Sequence, residues 1–260
     1  RARGRSPRQR DILRHFHTFA TVFIARVYLL AGRTAALDIS AQVPAEVLEA
    51  VKASRGCLLL GAHFGSFEVL RIKGKLRDAA PIRIVLDREV VRMAMSLLER
   101  LDPQLASRTI DAARRGPDLV LDIKQAIEAG DLVGMLADRA RADERAIEVD
   151  FLGGRVRLPA GPWLVAAARE VPVLIGFGVF LGGNRYECRR ELFEARVALP
   201  RATRAQALQA CAQRYALRLE EQVRAHPDNW FNFHEYWLAG PVAPCLRSPS
   251  VPLPCQPRWA

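Results

Sequence analysis

Cysteine is scarce in this chain and poorly spaced for its usual structural work. The five cysteines, Cys57, Cys188, Cys211, Cys245 and Cys255, are scattered and odd in number, with no Cys-x-x-Cys pair. That excludes a disulfide framework and a cysteine zinc site as organising principles. No apolar run approaches the ~18–20 residues of a spanning helix. Lysine is nearly absent, at Lys52, Lys73, Lys75 and Lys124 only, so arginine carries most of the 39 basic residues. No G-x-S-x-G elbow, phosphate-binding G-x-x-x-x-G-K-[ST] loop or G-x-G-x-x-G turn stands out, which removes the usual serine-hydrolase, nucleotide and dinucleotide signatures. His15 and His17 form an H-x-H without an acidic or thiol companion at ligand spacing, so no metal site is expected. There is also no internal repeat.

What is present is a basic head on an ordinary globular composition. The chain has 260 residues and a net charge of +11, long enough for one large domain with a full core. Residues 1–33 hold eight arginines (Arg1, Arg3, Arg5, Arg8, Arg10, Arg14, Arg26, Arg33) against Asp11 alone, so +7 of the charge sits there. Such a head suits an anionic lipid surface, an acidic carrier protein or nucleic acid. The charge does not continue past residue 33 and no nucleic-acid fold is evident, which argues against nucleic acid. Within the head, residues 14–33 read as an amphipathic helix with Phe16, Phe19, Phe23, Val27 and Leu30 at spacings of three and four, and Gly32 as its stop. That stripe fits a membrane surface as well as it fits a core. The chain opens on Arg1 rather than methionine, and from this we expect a further upstream segment, one able to carry an anchor.

From residue 43 strand and helix patterns alternate. A short helix over PAEVLEAVKAS, a buried strand GCLLLGA, a helix over 65–77, a strand at 82–87 and a helix over 89–100 come first. A helix at 117–130 ending in Gly130, a strand DLVGMLA, a strand IEVDFL, a turn at Gly153–Gly154 and a helix over 162–169 follow. A buried strand at 171–180, an alternating edge-like strand at 184–193 and a long helix at 202–225 complete the pattern. This order predicts an α/β fold, a single domain with a mostly parallel central sheet flanked by helices. The expected organisation is a basic amphipathic segment over 1–33, the folded domain over 34–240, and a disordered tail over 241–260, which holds six of the 16 prolines.

Four stretches carry candidate chemistry. In GCLLLGAHFGSFEVLR, His63 falls at a strand's carboxyl end and Glu68 five residues on, in the first turns of the next helix. Sites are built at that end of α/β strands. A histidine there can act as general base, with a nearby carboxylate fixing its tautomer. The amides of Gly65 and Ser66 would stand at the helix start, aimed at developing negative charge. In ADRARADER, Asp138 and Arg139 also follow a strand, and Arg139 could grip phosphate through its fork. In DFLGGRVRLPAGPWLV, Gly153 permits close backbone approach, and Pro159 and Gly161 shape a helix start able to face an anion. HPDNWFNFHEYW packs Trp230, Phe231, Phe233, Tyr236 and Trp237 into eight residues, suited to a lipid or acyl-chain interface or to a core-closing segment. A base without its own nucleophile suggests that His63 activates a substrate hydroxyl directly. Each stretch also has an ordinary structural explanation: a capping histidine, a salt-bridged loop, a hairpin with a helix start, a core segment.

Together, in this order, the four stretches resemble the lysophospholipid acyltransferase superfamily, in its branch of bacterial lipid A (lauroyl/myristoyl) acyltransferases. AHFGSFE resembles the H-x-x-x-x-D/E block, LADR an Asp-Gln/Arg segment, FLGGRVRLPAGP the block F-[FL]-G-x-x-[AV]-x-x-P-x-G, and HPDNWFNFHEYW the closing Y-P-x-x-W…W. The resemblance covers about residues 14–238. The wording of HFGSFEVLR and LADR is closer still to predicted acyltransferases found beside bacterial polyene-lipid and glycolipid genes.

The resemblance implies a glycerol-phosphate-acyltransferase-like fold for residues 34–240 and direct O-acyl transfer. His63 would deprotonate a lipid or glycolipid hydroxyl, the alkoxide would attack the thioester of acyl carrier protein or coenzyme A, and Glu68 would orient and charge-balance His63. Gly65, Ser66, Asp138, Arg139, Gly153, Pro159 and Gly161 become substrate-binding candidates, with no cofactor beyond the thioester co-substrate and no metal. The implied partners are a membrane acceptor, the acyl carrier and an anionic membrane surface. The implied place is the cytoplasmic face of the bacterial inner membrane, peripheral or anchored by a missing segment. Where the glycerol-phosphate branch has an E-G-x-R grip this chain has L-P-A-G, which argues against a lysophosphatidate acceptor. Two other readings stay open: a non-catalytic membrane-surface protein using the basic helix, and a serine hydrolase using Ser66.

Overall fold

The computed structural model describes residues 1–72, 82–87, 108–114 and 116–238. The expected helix over 89–100, the end of that over 65–77 and the tail at 241–260 lie outside them. The α/β expectation holds. Among the described residues seven strands form the central sheet: β1 (Asp38–Ala41), β2 (Cys57–Gly61), β3 (Ile82–Leu86), β4 (Thr109–Asp111), β5 (Leu132–Leu136), β8 (Val173–Gly182) and β9 (Arg185–Glu194), in the order β1-β9-β8-β2-β5-β3-β4. Every neighbouring pair is parallel except β8–β9, a hairpin through Gly182 and Gly183, both at positive φ. Strands β2, β3, β4, β5 and β8 therefore run one way, and their carboxyl ends share one edge of the sheet. A separate antiparallel hairpin, β6 (Ala146–Phe151) and β7 (Gly154–Pro159), turns at Leu152–Gly153.

β2 is buried along its whole length, as its unbroken apolar run predicts for a central parallel strand. One sheet face, carrying Leu58, Leu60 and Val133, packs against α4 (Gly116–Glu128), α5 (Gly161–Arg169) and α6 (Arg204–Ala225) through Ile123, Trp163, Tyr215 and Leu219. On the other, Cys57, Leu59, Leu132 and Leu174 meet Val47 and Val51 of α2 (Ala45–Ala53). There α3 (Phe67–Ile72) sets Leu70 over Gly176, and α1 (Gln9–Leu30) lies outside α3.

The strand at 185–194 is not at the edge, because β1 pairs with it. β1 and β4 give little sequence signal, being four and three residues long. The helix in the head starts earlier than its apolar pattern suggests. It turns Asp11, Thr18, Val22, Ala25 and Leu29 inward and leaves Phe16, Phe19 and Phe23 on the exposed face. The helix has two apolar stripes, and the less aromatic one meets the core. Much of the head's charge is spent internally. Arg3 and Arg14 both pair with Asp228, Arg5 with Asp11, and Arg26 with Glu68. The Arg5 guanidinium and the Arg8 amide hold the Asp11 carboxyl well below the usual carboxylate range.

Candidate active site

Strand register brings the first two functional side chains together. β2 and β5 are parallel neighbours with Gly61 opposite Leu136. Each strand is followed by one alanine and then one polar residue, so His63 and Asp138 emerge side by side. His63 Nδ1 lies 2.9 Å from Asp138 Oδ1. Asp138 is fully buried and His63 partly exposed. Burial alone would raise the Asp138 carboxyl, but its bond to His63 and the Arg139 charge outweigh that, so it lies below the usual carboxylate value. It stays ionised, and an ionised carboxylate can only accept, so Nδ1–H donates this hydrogen bond to Oδ1.

The loop that carries His63 is pinned at its backbone. The Gly61 carbonyl accepts from Ala137 N–H at 3.0 Å and from the Tyr215 hydroxyl at 2.7 Å. The His63 carbonyl accepts from Phe231 N–H at 2.7 Å. Gly65 N–H donates to the Asn229 carbonyl and Ser66 N–H to the Gly178 carbonyl, each at 2.8 Å. Gly65 and Gly178 pass so close that a Cβ on either would sit 1.9 Å from a carbonyl oxygen, and Gly65 has φ +55°. No other residue fits both demands at position 65. The buried Asn229 side chain holds the far strand, accepting from Phe180 N–H and donating to the Phe180 carbonyl. Behind Asp138, the Tyr236 hydroxyl donates to its backbone carbonyl, and burial pushes that phenol well above its ordinary value.

These contacts revise two expectations. The Gly65 and Ser66 amides are already spent on backbone carbonyls, so they are not a free oxyanion hole. Among the described residues the ring nitrogen Nδ1 of His63 meets Asp138, and no hydrogen bond or ion pair joins the ring to Glu68. Glu68 is buried on α3 and accepts an ion pair from Arg26 Nε of α1 at 2.7 Å.

His63, Gly65, Glu68, Arg26 and Arg139 nevertheless line one cleft of about 470 Å³. Its remaining wall is mainly apolar: Phe19, Val22 and Phe23 of α1, Phe67 of α3, Ile84 and Leu86 of β3, Met135 and Leu136 of β5, and Phe231 and Phe233. Arg139 donates through Nη2 to the Phe231 carbonyl at 2.6 Å, while its buried Nε has no hydrogen-bond partner among the described residues. His234, also lining the cleft, is shifted downward by burial and by the positive charge of Arg139. An imidazole held by a buried carboxylate, with cations beside it in an apolar cleft, can take a proton from a hydroxyl and stabilise charge developing on an oxygen.

A family model for bacterial lipid A biosynthesis acyltransferases matches residues 8–239. The chain belongs to that family. It is an acyltransferase, and the family's chemistry is acyl transfer to a lipid acceptor. No curated protein matches the chain.

The other candidates fall elsewhere. Gly153 sits at the β6–β7 turn with φ +70°, its carbonyl accepting from Arg1 Nη1 at 2.9 Å. Pro159 ends β7 opposite Ala146, and Gly161 starts α5. None of the three lines the cleft. Ser66 is buried and its Oγ has no hydrogen-bond partner among the described residues. Arg26 was not foreseen as a site residue. Its sequence signal was present, since it falls one turn from Val22 and so projects from the inward flank of α1.

The closing aromatic segment divides its work. Trp230, Tyr236 and Trp237 pack into the core with Phe151. Phe231 and Phe233 instead join Phe16 and Phe19 of α1 at the cleft mouth, with Phe16 stacked on Phe233 at 5.2 Å.

Proposed function

We propose that this acyltransferase moves a fatty acyl group from a thioester of acyl carrier protein or coenzyme A onto a hydroxyl of a lipid or glycolipid at a membrane surface. The observation that supports it most is the His63–Asp138 pair in an otherwise apolar cleft. With Nδ1 committed to Asp138, Nε2 is the nitrogen left for substrate. Nε2 takes the proton of the acceptor hydroxyl as its oxygen bonds to the thioester carbonyl carbon. The tetrahedral oxyanion faces the cationic side chains of the cleft, Arg26 and Arg139. The C–S bond then breaks, the ester is released, and the leaving thiolate recovers the proton from His63. General-base assistance of this kind contributes about 10²–10⁴ in rate.

Asp138 is the group that orients the ring, and Glu68 acts from the cleft wall by holding Arg26, so that α1 is part of the site. No covalent acyl-enzyme is required. The burial of Ser66, away from His63 in bonding terms, disfavours the hydrolase alternative. Arg139 is the candidate for phosphate on acceptor or donor.

The membrane part of the reading rests on α1. Ile12, Leu13, Phe16, Phe23 and Ile24 are exposed on one side of the helix, and Phe233 extends that patch at the cleft mouth. An apolar surface next to the substrate opening, on a helix flanked by arginines, suits a bilayer from which a lipid acceptor enters. Thioester donors would place this at the cytoplasmic face. The test is to incubate the protein with acyl carrier protein thioester, or with acyl-coenzyme A, and a bacterial membrane lipid extract, and to read lipid masses. Gain of one acyl unit on a lipid class with either donor is expected. No gain with both donors overturns the reading.

A further inference from the structure

Two glycines lie on one face of the sheet where large apolar residues would be expected. Gly61 of β2 and Gly134 of β5 share that face with Leu59, Leu132 and Ile84. Glycine in a buried strand interior costs stability and usually marks a close approach. Here the approaching group is the Phe67 ring. A Cβ on Gly134 would sit 2.8 Å from its Cζ, and one on Gly61 would sit 3.1 Å from its Cε2. The ring is therefore let down onto the sheet, and its upper surface lines the cleft. Next to it, β3 contributes only Ile84 and Leu86 to the cleft. Among the described residues, Phe67, Ile84 and Leu86 form an apolar arm of the cleft, as a hydrocarbon chain requires.

We propose that Phe67, seated on Gly61 and Gly134, sets the depth of the acyl-chain arm and so selects the donor's chain length. The inference rests on the acyl-transfer reading above. If the ring is the floor, removing it joins the space above the two glycines to the cleft. A methyl added at Gly134 does the opposite, lifting the ring into the arm. The two sides of one contact, Phe67 and Gly134, then give length changes of opposite sign, which general damage to the fold would not.

The experiment compares the parent with Phe67→Ala, Phe67→Leu and Gly134→Ala, using saturated thioesters of ten to eighteen carbons and reading relative kcat/KM. Discrimination of about 10-fold or more for each methylene is typical of apolar pockets. Both Phe67 variants should raise the ratio of long to short donors by at least about 10-fold, and Gly134→Ala should lower it by a similar factor. Binding of free fatty acids of the same lengths, measured by calorimetry, reads the same shift in any folded variant that is slow in transfer. Phe67→Leu keeps the core filled if Phe67→Ala does not fold. Folded variants with the parent's length profile overturn the inference alone. A parent that transfers from no donor overturns the acyl-transfer reading and this inference with it.

Discussion

Replacing Asp138 by Asn removes one charge from a fully buried position and little volume. In the parent, Asp138 Oδ1 accepts a hydrogen bond from His63 Nδ1–H at 2.9 Å, which leaves Nε2 as the free lone pair for the acceptor hydroxyl. A charge-assisted hydrogen bond of this kind contributes about 1.5–3 kcal/mol. If it supports the imidazolium formed during proton transfer, its loss slows the chemical step about 10–100-fold. An amide can also turn its NH₂ to the ring and stabilise the wrong tautomer, a fault that costs up to about 10⁴ in comparable sites. The expected result is a fall in kcat of about 10²–10⁴ with KM little changed. Steady-state acyl transfer measures this, with a thermal melt to confirm folding. Because Asp138 acts through His63, adding Asp138→Asn to His63→Ala should slow transfer no further. The carboxylate also has a stability signature. Its folded pKa is lowered, so its contribution is present above the ordinary aspartate value near 4 and is lost as pH falls through the folded value. The Tm difference between parent and variant should therefore narrow below about pH 4. A folded Asp138→Asn enzyme within about 3-fold of the parent would refute the assignment of Asp138 as the orienting group.

Gly65→Ala places a methyl 1.9 Å from the Gly178 carbonyl oxygen at a residue with φ +55°. Overpacking and left-handed strain together should cost about 3 kcal/mol or more, a drop of roughly 6–12 °C in Tm, and a melt within ~2 °C of the parent would contradict the pinned-loop description. Leu13 and Ile24 project from the exposed side of α1 and lie outside the cleft lining. Changing both to Ser should lower partitioning onto anionic vesicles by about 30-fold or more while transfer to a detergent-dispersed acceptor is retained; unchanged vesicle binding would remove α1 as the membrane face. Arg26→Gln and Glu68→Gln should each slow transfer, and their double variant should be less impaired than the two effects added together, since the pair meets at 2.7 Å. Additive effects would separate the two residues.

Much of the fold could be read from the chain because its central strands are continuous apolar runs between helical patterns. β2 and β5 are the clearest cases. The site was half legible. His63 stands out as a polar residue at a strand end, but sequence proximity points to Glu68 five residues on, whereas its partner Asp138 lies across the sheet. The signal for Asp138 was there: CLLLG-Ala-His and LVGML-Ala-Asp end alike, and parallel neighbours in that register must present His63 and Asp138 together. Strand order, which makes them neighbours, comes from long-range packing that no local window carries. The same holds for α1. Periodicity picks out the stripe through Phe16, Phe19 and Phe23, but the less aromatic Val22–Ala25–Leu29 stripe is the one that faces the core. Short strands such as β1 and β4 are held by their neighbours' ladders, so their own residues give little sign of them. The pairing of Glu68 with Arg26 links segments far apart in sequence, and the 1–33 charge looked free only because its acidic partners, Asp228 and Glu68, lie elsewhere in the chain.

The central claim is that His63 is the general base of acyl transfer, and His63→Ala tests it most directly. The measurement is the initial rate of acyl transfer from a thioester donor to membrane lipid by the folded variant, followed by mass spectrometry. A fall of about 10²-fold or more, with fatty-acid binding in the cleft retained, is the predicted result. Transfer at the parent's rate would contradict it.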